Sequence, residues 1–99
     1  MSNLFLVISR AGKTYEDFKE NQESFSHCSI LIKQRVAPDY TFAQKLYLLI
    51  GTKPVTIDED LISSVKDICV EHQGNPEAEK VSEFFEFNSG KEVFACCVH

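Results

Sequence analysis

All three histidines of the chain lie within three residues of a cysteine: His27 beside Cys28, His72 three places after Cys69, and His99 two places after Cys97. Residues three apart on a helix share a face, and so do residues two apart on a strand. If a helix end carrying Cys69 and His72 met a strand end carrying Cys97 and His99, the four side chains would form a tetrahedral Cys2His2 set for Zn²⁺. The paired C-x2-C knuckles of zinc domains are absent, and free cysteine packs readily into cores. The simpler reading is therefore four reduced thiols, with zinc as the alternative. Cys96 and Cys97 are neighbours that would point to opposite faces of a strand, which disfavours a disulfide between them. There is no C-x-x-C, so the motif of a thiol–disulfide exchange enzyme is missing.

Other reactive patterns are weaker still. Ala11-Gly12-Lys13-Thr14 follows an apolar run, as a phosphate-binding loop would, but Val7 stands where that motif requires its first glycine. No serine sits in a G-x-S-x-G turn. His27 and Cys28 would point to opposite sides of an extended strand and so could not act as a dyad. The pairs Glu16–Glu20 and Glu79–Glu83 have the spacing of carboxylates on a solvated helix face. The expectation is a protein without catalytic machinery.

Charge is more informative. The net charge is −5 over 99 residues. Residues 1–53 hold seven bases and five acids, a balance of +2, and residues 54–99 hold three bases and ten acids, a balance of −7. Such a field repels phosphate backbones and favours a basic partner. The candidate contacts are Asp58, Glu59, Asp60, Asp67, Glu71, Glu77, Glu79, Glu83 and Glu86. The expected function is a small interaction protein, a regulator or inhibitor presenting an acidic surface to a basic protein. That partner could itself bind nucleic acid, with carboxylates standing in for phosphates. A minor alternative is direct nucleic-acid binding through Lys33, Arg35, Lys45 and Lys53 near Tyr40 and Tyr47, which is a thin basic patch on an acidic domain.

The elements that would carry these residues follow from periodicity. Asn3–Ser9 is a near-continuous apolar run and reads as a central strand. Thr14, with Asp17 three residues on, caps a short helix from Tyr15 to about Glu23, with Phe18 and Phe25 inward. Cys28–Arg35 reads as a second strand, joined to the first by a right-handed parallel crossover. Thr41 and Gln44 suggest a capping box for a helix from Phe42 to Ile50, closed by Gly51. That helix is apolar nearly all round, which suggests a homodimer burying Tyr47 and Leu48 or pairing an edge strand. Thr56 and Glu59 suggest a further box, opening a helix that runs to about His72. Ser82–Phe87 and Glu92–His99 flank Asn88-Ser89-Gly90-Lys91, which reads as a C-terminal β-hairpin whose second strand is covered on both faces. The sum is one α+β domain: a mixed sheet of about four strands with three helices. No apolar run approaches the roughly 20 residues that span a bilayer, and no secretory signal is legible, so the expected location is cytoplasmic.

Overall fold

The computed structural model of the protein describes residues 3–9, 13–33 and 40–98. It is an α+β fold with a four-stranded sheet, as the sequence suggests. The strands are β1 (Asn3–Ser9), β2 (Ser29–Lys33), β3 (Val55–Thr56) and β4 (Glu92–Val98), in the spatial order β2-β1-β4-β3. Four helices accompany them: α1 (Tyr15–Glu20), α2 (Tyr40–Ile50), α3 (Glu59–Glu71) and α4 (Glu77–Phe87), with a 3₁₀ turn at Gln22–Phe25.

Alternation along the two inner strands builds two cores. Leu4, Leu6 and Ile8 of β1 and Val93 and Ala95 of β4 face α2, α3 and α4, where they meet Phe42, Leu46, Val65, Val81 and Phe85. Val7, Phe94 and Cys96 face the other way, against Phe18 of α1 and Phe25 of the 3₁₀ turn. Phe18 lies edge-on to Phe25 at 5.4 Å and to Phe94 at 6.3 Å between centroids, the arrangement aromatic quadrupoles prefer. Cys96 and Cys97 do point to opposite faces, and all four cysteines are free. The α1 cap forms as expected: the Asp17 carboxylate accepts from the Thr14 N–H at 2.7 Å and from its hydroxyl at 3.1 Å.

Several expectations are corrected. The mixed sheet with a parallel crossover is replaced by a sheet in which every pair is antiparallel, β1 with β2 included. A six-residue helix is only about 9 Å long, too short to carry the chain back along a strand. The chain therefore turns at the end of β1, where Cys28 O accepts from Ile8 N–H at 2.7 Å, and runs the other way. The C-terminal hairpin is replaced by a helix and a strand, because Ala78, Val81 and Phe85 share one buried helical face. The intervening glutamates, Ala78 and Lys80 favour helix, which brings the helices among the described residues to four rather than three. Gly90 has the expected positive φ, +87°, but in a turn between α4 and β4. The box at Thr56 is replaced by Asp58, whose carboxylate accepts from Leu61 N–H at 2.8 Å, while Thr56 pairs with Glu92 in the sheet. Thr41 stands inside α2 rather than at its cap, and its side chain lies outside the described residues, as do Arg35, the Tyr40 side chain and His99.

α4 also closes an edge of the sheet. Cys28, Ile30 and Ile32 bond towards β1, so Leu31 and Lys33 turn their backbone groups outward. Glu77 accepts from Lys33 N–H at 3.1 Å, and Lys80 Nζ donates to Leu31 O at 2.8 Å. Two charged side chains thereby occupy groups that would otherwise recruit a foreign strand.

Candidate interaction surface on the last two helices

Asp58 caps α3, and Glu59 and Asp60 place negative charge in its first turn, where the helix dipole favours it. Leu61, Val65, Ile68 and Cys69 then fall on the side that packs inward. His72 ends the helix, and Asn75 turns the chain by accepting from Glu77 N–H through its side chain at 2.9 Å. α4 returns antiparallel to α3. The Cys69 thiol donates to Ala78 O at 3.3 Å at one end of the pair, and Lys66 meets Glu86 at 2.5 Å towards the other.

Between the two helices runs an open groove of about 400 Å³. Its floor is Cys69, Val70 and Ala78, and its rim includes Gln73, Glu79 and Ser82. Val70 is 63% exposed, which is unusual for a β-branched aliphatic residue on a packed helix. Asp67 sits one turn before Val70, and Glu83 one turn after Glu79, both exposed. Lys66 is the cation at this rim, and it is already held by Glu86.

The nine candidate acids thus divide. Asp58 caps a helix, Glu71 pairs with Lys45 of α2 at 2.6 Å, Glu77 holds the sheet edge and Glu86 holds Lys66. The Lys45 contact pulls the Glu71 carboxyl below its ordinary range. Glu59 and Asp60 lie at the start of α3, where Asp58 and Asp60 also edge a shallow depression beside Leu49 and Val55. Asp67, Glu79 and Glu83 form no ion pair among the described residues; Glu79 lines the groove, and Asp67 and Glu83 are exposed on the same two helices.

The proposed metal ligands face different neighbours. The Cys69 thiol points to α4 and is pushed up in pKa by burial, whereas the His72 ring packs on Phe42 of α2 at 5.4 Å. Burial likewise raises the Cys97 thiol. Among the described residues no three His, Cys, Asp or Glu side chains come together as a metal-holding group. Of the basic patch, Lys45 is paired with Glu71, and Tyr47 packs on the core. Of the pair expected at a dimer face, Leu48 alone is well exposed, at 73%.

Two features escape sequence reasoning. Val70 reads as an ordinary helix residue until α4 is known to leave it uncovered. His27 and Cys28 do line one cleft, together with Lys91, because residues 26–28 form a turn rather than a strand. No helix among the described residues is long and apolar enough to cross a membrane. No protein-family model, no curated protein and no solved structure matches the chain.

Proposed function

We propose that this chain is a non-enzymatic interaction protein, a cytoplasmic regulator or inhibitor that binds a basic segment of another protein on its α3–α4 face. The observation that carries this reading is the groove lined by exposed Val70 and by Glu79, with Asp67 and Glu83 exposed one turn along the same two helices. An apolar side chain of the partner would seat over Val70 and Ala78, and flanking Lys or Arg residues would meet the carboxylates. Apolar anchors supply most of the affinity in such contacts, while the charges set encounter rate and register. A partner that normally holds nucleic acid fits this chemistry, because carboxylates can occupy its phosphate sites.

The test uses a partner recovered from native-cell extract and association rates measured against ionic strength. The Glu79→Lys/Glu83→Lys variant should associate more slowly and with a shallower salt dependence, while Val70→Asp should chiefly speed dissociation. Equal rates for wild type and both variants at every salt concentration would leave the groove without this role. The zinc alternative, to which the buried and unpartnered Nε2 of His72 would contribute a ligand, is tested by metal analysis of protein purified without added zinc. A homodimer through α2 is the second reading, and it rests on exposed Leu48 with Leu49 beside it. Light scattering at micromolar concentration decides it, since a mass near 11.3 kDa means a monomer.

A further inference from the structure

A second concavity, of about 500 Å³, lies at the end of the sheet where β1 finishes, β2 begins and α4 ends. Its size suits a small ligand. Ile8, Ile30 and Phe84 give it apolar walls, and Phe87 stands at its margin with a ring 83% exposed. Lys91, His27 and Cys28 line the same space. No carboxylate lines the cleft among the described residues.

Lys91 is the informative group. Its Nζ lies 3.4 Å from Asn88 Oδ1 and 5.9 Å from the centroid of the Phe87 ring. Asn88 is itself fixed, because its Nδ2 donates to Phe84 O at 2.8 Å. An ammonium has three donors, and among the described residues this one makes a single long hydrogen bond. The cation is thus positioned by its neighbours but not neutralised by them. An uncovered aromatic ring beneath a free cation, next to an apolar wall, is the chemistry of a site for an organic anion with a flat apolar body. One ammonium matches one carboxylate better than a doubly charged phosphate.

We propose that the cleft bounded by His27, Cys28, Phe87 and Lys91 binds a small aromatic monocarboxylate, its carboxylate at Lys91 and its ring against Phe87 and Ile30. This site is separate from the α3–α4 groove and does not depend on the role proposed there.

Cys28 supplies the readout. It is a half-buried free thiol inside the cleft, while Cys69 and Cys96 are buried and Cys97 lies on the core side of β4. The experiment measures the alkylation rate of Cys28 by iodoacetamide, resolved by peptide mass spectrometry. The intact chain is titrated with phenylacetate, its neutral counterpart 2-phenylethanol, and phenyl phosphate. The expected result is saturable protection of Cys28 by phenylacetate, weaker protection by the alcohol, and none stronger by phenyl phosphate. Lys91→Met should weaken phenylacetate protection by about tenfold, the loss of one partly desolvated ion pair. It should leave 2-phenylethanol unchanged, and Lys91→Arg should restore most of the difference. Each variant is checked by its melting curve, so loss of the fold is distinguished from loss of the site. Absence of saturable protection overturns the proposal. So does equal protection by acid and alcohol that Lys91→Met does not alter, which would be apolar adhesion only. Tighter protection by phenyl phosphate would overturn the monocarboxylate assignment.

Discussion

Ala78, Glu79 and Ser82 of α4 face the groove shared with α3, while Phe84, Phe87 and Asn88 further along the same helix face the cleft at the sheet end. Each place leaves one apolar side chain uncovered, Val70 in the groove and Phe87 at the cleft. They differ in the charge set around that side chain. The groove with Val70 is lined by the carboxylate of Glu79 and by Lys66, which Glu86 already holds, whereas an ammonium lies near Phe87 and no carboxylate lines the cleft among the described residues. The net charge of −5 describes neither place. What a ligand meets is decided by which charges are already committed: Glu86 to Lys66, Glu71 to Lys45, Glu77 to the β2 edge. In a chain this short one helix builds two surfaces of opposite preference, because its two ends meet different neighbours.

The widest break removes what both surfaces share. Phe85 is fully buried on the inner face of α4. Phe85→Ala should destabilise by about 3–5 kcal/mol, through lost transfer energy and the cavity left behind. Groove and cleft should fail together. Denaturant unfolding measures the loss, and a value under about 1 kcal/mol would mean that α4 is not anchored as described.

That α4 is a helix is also where the sequence misleads most. Val81, Phe84, Phe85 and Phe87 are dense enough in apolar residues to resemble a strand, and Asn88–Lys91 is a genuine tight turn. The deciding fact is non-local. Ile57 exchanges backbone hydrogen bonds with Gly90 and Lys91 at 2.8 Å each, so β3 occupies the place a hairpin partner would take. Elements with local signals were legible: α3 with its apolar stripe, α2 with Gly51 at φ +74°, and the central strands β1 and β4. The antiparallel turn from β1 to β2 was not, since strand direction depends on the reach of the connection and not on either strand's residues. The acids were legible as a group but not in their division, because a carboxylate holding a sheet edge looks the same in sequence as a solvated one.

A narrower break separates the two surfaces. Gly90 meets nothing within 4 Å of an added Cβ, so the cost of Gly90→Val is the positive φ alone, about 1–2 kcal/mol. The neighbouring Lys91 should shift and phenylacetate protection of Cys28 should weaken, while partner association at the groove stays unchanged at temperatures where the variant is folded. A melting temperature equal to that of wild type would contradict the strained turn.

Smaller still is the contrast between two glutamates of one helix. Glu77→Gln keeps the shape but replaces a charge-assisted acceptor at the β2 edge with a neutral one, at a cost of about 1 kcal/mol. Glu79→Lys/Glu83→Lys changes more charge but should alter stability by less than about 0.5 kcal/mol, because neither side chain holds a structural group among the described residues. Chemical denaturation of both variants tests the division of the acids. Equal losses would dissolve it.

The smallest effect is in acid, and it concerns the committed carboxylates alone. The Glu71 carboxyl is held below its ordinary range by the Lys45 hydrogen bond and charge, and that of Asp17 by hydrogen bonds from the Thr14 backbone and hydroxyl. A carboxyl whose folded pKa is depressed stabilises the fold above its unfolded pKa, about 3.9 for Asp and about 4.3 for Glu. That contribution is lost as pH falls below those values and through the folded ones. Both groups are open to solvent, so each should shift the melting temperature only slightly. Lys45→Met should flatten the part of the acid slope due to Glu71 and leave the part due to Asp17, whereas Asp17→Asn should do the reverse. Added salt should shrink the Glu71 part more, because a surface ion pair is screened while the short bonds from Thr14 to its own helix turn are less so. An acid slope that neither variant changes would assign it to other carboxylates, and would remove Glu71 from the group that the fold has already put to use.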